Sequence, residues 1–218
     1  MFNQILFTQI RWTRVALGSM AFAAFLMPAV AWWLGGMRVL DPSSHVALMV
    51  GFDEVGLMLI VIAGLGAFLS AALPWQADAA TRHVLPLALP ITWRRYVAMR
   101  FGAGALTLLL PTVALWIGCL LTLARVDVPA SLRAYPGSIA LRFLAVALFA
   151  YAVTFALQYI AGRKSSLTVL VVLLAGVALV SVQSMLGLNG LTDILMDALV
   201  RVPGPLAVFA SDWALIDV

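Results

Sequence analysis

The chain has 218 residues, of which 64% are hydrophobic and 10% charged, with a formal net charge of +4. An ordinary soluble domain carries about 25% charged residues, so this composition excludes a water-soluble globule and points to a bilayer. The positive balance does not point to nucleic acid, because the basic groups fall in short segments beside long apolar runs.

Crossing the hydrocarbon takes about 20 predominantly apolar residues in a helix, and each crossing must be helical because lipid offers no partner for an unpaired backbone amide. The opening residues 1–14 place Phe2, Ile5, Leu6 and Ile10 on one helical face, with Gln4, Gln9 and Arg11 mostly elsewhere. That pattern predicts a short helix lying along the membrane surface. A cleavable leader is the competing idea, with Ala29-Val-Ala31 as its cleavage site, but the apolar run is longer than a signal core, which keeps the segment in the protein.

The first span is expected from Val15 to Leu34 and the second from Val55 to Leu73. Asp53 and Glu54 stand at the mouth of the second span. They read either as a solvated helix end with acids near the positive dipole or as an outer vestibule that attracts cations. Gly64, Gly66, Ala67, Ser70 and Ala71 form a small-residue surface in this span, as do Gly102, Gly104 and Ala105 in the next. Small side chains let helix backbones approach closely in lipid, which suits a compact bundle or a dimer seam.

The third span is expected from Tyr96 to Leu123, the fourth from Ala140 to Ile160 and the fifth from Leu167 to Leu186. Pro28 and Pro111 should kink the first and third, since each removes a backbone donor. Polar groups inside the spans are sparse, and no acid or base is expected near a bilayer centre, which disfavours a proton or sodium relay. After Leu186, Leu191, Ile194, Leu195, Ala198 and Leu199 recur at helical spacing, so 187–218 is expected to hold an amphipathic outer helix and a tail. The expected fold is all-α: one polytopic transmembrane domain over 1–218, with a five-span bundle at 15–186, a cytoplasmic loop at 74–95, and a sixth span short or missing.

Orientation follows from the basic residues, because Lys and Arg in short loops stay on the cytoplasmic side. With the N-terminus inside, the inner segments hold Arg11, Arg14, Arg82, Arg94, Arg95, Arg100, Arg163 and Lys164 against Asp78 as their only acid. The remaining five arginines and eight acids fall outside. A multi-pass protein with a cytoplasmic N-terminus is expected.

No catalytic constellation emerges. His45 and His83 fall on opposite sides, Cys119 stands alone within a span, and no Gly-rich phosphate loop is present. The chain is therefore expected to be no enzyme and to hold no cofactor or metal, and any ATP would be bound by another polypeptide.

The most distinctive stretch joins the second and third spans. Asp78-Ala-Ala80-Thr81-Arg82 is followed by an apolar helical run limited by Pro86, and then by Leu89-Pro90-Ile91-Thr92-Trp93-Arg94-Arg95. Thr92 is placed to cap the helix that follows. This arrangement resembles the type-2 ATP-binding-cassette (ABC) transporter permeases, whose second and third spans are joined by an acidic residue, a small residue and Thr, then a Leu-rich helix, then a Leu-Pro-hydrophobic-Ser/Thr-x-Arg turn. Asp78 stands where that family usually has Glu, Ala80 where it usually has Gly, and the family's sixth span has no counterpart.

The resemblance implies that the loop is a coupling helix seated in a cleft of a cytoplasmic ATPase. Asp78, Thr81 and Arg82 would hold the loop, Pro90 and Thr92 would set its turn, and Arg94 and Arg95 would contact the ATPase. The two arginines read equally as headgroup anchors. On this resemblance the chain is expected to be a permease subunit of a bacterial inner-membrane exporter for a hydrophobic or amphipathic substrate. It would pair with a second permease copy or a related permease, with an ATPase subunit and membrane lipids as partners and no nucleic acid. The alternative is a non-transporting structural subunit that scaffolds a larger membrane complex.

Overall fold

The computed structural model describes residues 2–38, 45–80, 92–126, 133–161 and 215–217. Among them are five helices: α1 (Phe2–Gly36), α2 (His45–Ala80), α3 (Trp93–Thr107), α4 (Leu109–Leu123) and α5 (Pro136–Ala161). Two-residue strands β1 (Arg133–Ala134) and β2 (Ile216–Asp217) pair antiparallel. Taking α3 and α4 as one span, four helical spans among the described residues are long and apolar enough to cross a membrane.

The helices run up and down. Gly35 of α1 meets Ala47 of α2 while Gln9 meets Ser70, so these two are antiparallel. Gly102 faces Phe2 and Gly118 faces the Phe25 backbone, so α3 and α4 run with α1. Trp75 of α2 contacts Phe155 and Tyr159 of α5, which runs with α2. The start of α1, the end of α2, the start of α3 and the end of α5 thus share one end of the bundle, here the base. The opposite end, the top, holds the β1–β2 pair, where the Tyr135 amide donates to the Leu215 carbonyl at 2.9 Å and Leu215 is fully buried.

Residues 1–14 do not form a separate surface helix. α1 is continuous over 35 residues, about 52 Å at 1.5 Å per residue. No Gly or Pro interrupts it before Gly18, and Ile5, Gln9 and Thr13 continue the buried stripe of Leu17, Met20, Ala24, Pro28, Ala31 and Gly35. Ile5 packs with Tyr96 and Ala103 of α3, so the first turns are held by the bundle.

α2 begins at His45, ten residues ahead of the expected Val55, and continues through Pro74 to Ala80. The third span is interrupted just ahead of Pro111. The missing amide leaves the Thr107 carbonyl without its helical donor, and the helix breaks at Leu108, whose amide bonds the Ala105 carbonyl at 3.2 Å. α5 starts at Pro136, four residues before expected. The first helical position suits proline because that amide would have no intrahelical partner. The expected fifth span at 167–186 and the amphipathic helix after it lie outside the described residues.

The main core joins Leu48, Phe52, Val55 and Leu59 of α2 to Leu115 and Cys119 of α4 and to Phe143, Val146 and Tyr151 of α5. Large apolar side chains also cover the outside, among them Val15, Phe22, Val61, Leu110, Leu121 and Leu141, whereas Gln9, Thr13, Ser70, Arg100 and Gln158 lie inside. Lipid accepts the first group and penalises the second, so the distribution is compatible with a bundle solvated by hydrocarbon.

Candidate functional site

The sequence directs attention to the base, where α2 ends and α3 begins. Asp78, expected in a loop opening at Pro74, lies in the last turns of α2 because the helix runs on to Ala80. Thr81, Arg82 and Pro90, with the coupling helix expected between them, lie outside the described residues. Thr92 occupies the N-cap of α3 in extended geometry, φ −67° and ψ 145°, as expected, but its side chain makes no capping hydrogen bond. The Tyr96 amide bonds the Thr92 carbonyl at 3.0 Å instead. Arg94 and Arg95 follow in the first turn, both exposed, and Trp93 stacks on Tyr96 with ring centroids 5.7 Å apart.

Asp53 and Glu54 fall in the interior of α2, more than two turns after its start. The helix-end reading is therefore corrected: His45, not the acidic pair, opens the helix, and the dipole effect fades within the first turn. The acidic pair belongs to the α2 half that packs near the top, away from Arg94 and Arg95.

Arg100 is the residue that the charge count misplaced. Grouped by sequence with the inner surface charges, it is 2% exposed and lies between helices. Its Nη2 donates to the Pro74 carbonyl at 2.9 Å, and its guanidinium carbon lies 5.3 Å from the centre of the Trp12 ring. A signal was available: Arg100 shares a helical face with Tyr96, Ala103, Gly104 and Thr107, which are all buried, whereas Arg94 and Arg95 point off it. Gln9 was likewise assigned to a surface helix, yet its Nε2 donates to the Ser70 carbonyl at 2.8 Å in the interior.

The base is thus polar inside. Thr13 returns its hydroxyl to the Gln9 carbonyl at 2.8 Å, and Thr107 and Thr154 bond carbonyls of their own helices at 2.7 Å. The Gln158 amide, 1% exposed, has no hydrogen-bond partner. Phe101, Tyr151 and Phe155 pack against one another with ring centroids 5.3 to 5.8 Å apart.

The small-residue surfaces are used unevenly. A Cβ on Gly66 would strike Met20 and one on Gly104 would strike the Tyr151 hydroxyl, but Gly64 faces nothing within 4 Å. The tightest backbone approach involves a pair that the sequence reading did not single out. Gly35 abuts the Ala47 carbonyl and Gly51 abuts the Ala31 carbonyl, so α1 and α2 cross backbone to backbone near the top.

Among the described residues, no group of three His, Cys, Asp or Glu could hold a metal ion. A shallow hollow of about 420 Å³ near the top is lined by Ala29, Trp32, Trp33, Gly36 and Met37, all from the end of α1 and the turn after it. No known protein family matches the sequence, and no curated protein or solved structure is significantly similar to it.

Proposed function

We propose that the chain is the membrane-spanning permease subunit of an ATP-driven exporter of the type-2 ABC kind. The observation that carries the reading is the connection between the second and third membrane-length helices. Asp78 and Ala80 close α2, and Leu89-Pro90-Ile91-Thr92 leads to an N-cap at Thr92 with Arg94 and Arg95 exposed just beyond it. Two exposed guanidiniums and a stacked Trp93 at a helix start suit a docking surface for an acidic cleft or for lipid phosphates.

In this reading the N-terminus is cytoplasmic, the membrane is a bacterial inner membrane, and the base docks on a separate ATPase that binds the ATP. A second permease copy or a related permease completes the pathway. Closure of the ATPases moves the connection, and the spans shift between two packings as rigid bodies. The apolar character of the spans suits a hydrophobic or amphipathic substrate.

The test is recovery of the tagged chain from its native membrane in mild detergent, with its companions identified by mass spectrometry. A stoichiometric ATPase carrying a Gly-rich nucleotide loop is the expected result. Recovery with other integral-membrane proteins and no ATPase overturns the permease reading in favour of a scaffolding subunit.

A further inference from the structure

Pro74 lies inside α2, six residues from its end. A proline has no amide hydrogen, so the carbonyl four residues earlier loses its helical donor. That carbonyl belongs to Ser70, and it is the one that accepts the Gln9 Nε2 of α1 at 2.8 Å. Gln9 is 1% exposed, and its Oε1 has no partner, so the amide is held in the interior for its donor alone. One turn further on, the Pro74 carbonyl itself accepts Arg100 Nη2 of α3 at 2.9 Å, and Arg100 is braced from α1 by the Trp12 ring. Two carbonyls one turn apart at the proline of α2 are therefore each bonded from a different helix.

We propose that the base of α2 is a locked proline elbow, in which Gln9 supplies the hydrogen bond that Pro74 cannot give to Ser70 and Arg100 fixes the Pro74 carbonyl. A proline in a membrane helix is a hinge when its freed carbonyl finds only transient donors; here the donor is a buried side chain of the neighbouring helix, so the helix direction at Pro74 is set by α1 and α3 and the last turns of α2 form a rigid arm. Gln9 and Arg100 act as positioning residues. If the base docks on an ATPase, a push on the 81–91 connection passes through this arm to α1 and α3 without being absorbed at the proline. That consequence rests on the permease reading, whereas the elbow itself does not.

The test is a mutant cycle on the full-length chain in detergent micelles, with no ATPase present. Gln9→Leu is expected to lower the folded-to-unfolded ratio about fivefold, the ordinary effect of losing one buried hydrogen bond. Pro74→Ala restores an amide at position 74 that can bond the Ser70 carbonyl, so in that background Gln9→Leu should cost less than about twofold. Arg100→Leu should cost the same in both backgrounds, because the Pro74 carbonyl persists when the side chain changes. If Gln9→Leu alone does not fold, recovery of folded protein by the Pro74→Ala, Gln9→Leu double variant is the expected rescue. Equal losses from Gln9→Leu in the two backgrounds, or no rescue of a misfolded single variant, overturn the elbow. Because the cycle needs no partner, a positive cycle combined with failure to recover an ATPase leaves the elbow standing and removes only its coupling role.

Discussion

The two ends of the bundle solve one problem by different means. Near the top, α1 and α2 meet through Gly35 and Gly51, where each glycine lies against a backbone carbonyl of the other helix. At the base the same helices are joined by a side-chain amide on a carbonyl, with an arginine from α3 beside it. Between helices in lipid there is little hydrophobic drive, so association rests on close packing and on interhelical hydrogen bonds. This chain uses the first where its residues are small and the second where a proline leaves a carbonyl to be bonded.

The contrast is sharpest at the top. Gly35→Leu should destabilise the chain by about 3 kcal/mol, since a Cβ there strikes backbone that cannot rotate away; equilibrium unfolding in mixed micelles measures it. At the base, Arg100→Leu should cost about 2 kcal/mol through the lost charged hydrogen bond, and Arg100→Lys should recover only part of it, because an ammonium lacks the planar fork that reaches the Pro74 carbonyl while lying over Trp12. Equal stability of Arg100→Lys and the wild type would show that charge alone, not geometry, matters at this end.

Smaller effects mark the limits of each device. Gly64→Ala should be neutral or stabilising by up to about 1 kcal/mol, since nothing faces it and alanine favours the helix; a loss comparable to that of Gly35→Leu would reveal a partner on that surface. Substitution of Arg94 and Arg95 by Glu should change unfolding by no more than about 0.5 kcal/mol, as expected for exposed sites. If the proposed permease reading holds, it should nevertheless uncouple the ATPase's hydrolysis from transport; normal coupling with reduced membrane insertion would return the pair to headgroup anchoring. Single cysteines at Thr92 and Ser138, both exposed and at opposite ends, should react with an impermeant maleimide from opposite faces of the membrane.

Helicity, membrane-length apolar helices, the α5 span, the break ahead of Pro111 and the start of α3 at Thr92 were legible because each depends on local chemistry: apolar run length, a missing amide, an extended residue before a helix. The continuity of α1 was not. Its first turns look amphipathic in isolation, and only the covering of Ile5 by Tyr96 and Ala103 shows that the Gln9 face turns inward. The early start of α2 was hidden in the same way, since His45 to Glu54 is too mixed in sequence to read as lipid-facing and is helical because Ala47, Leu48 and Phe52 pack against its neighbours.

For this chain the sequence by itself determined the solvent. Its scarcity of charge and its long apolar runs suit helices in lipid, and its prolines fix where those helices lose hydrogen bonds. Which polar residues serve the surface and which the interior was decided only by tertiary structure. Arg94, Arg95 and Arg100 are alike in composition and lie within seven residues, but a helix turns about 100° per residue, and only Arg100 is carried onto the face that α1 and α2 close over.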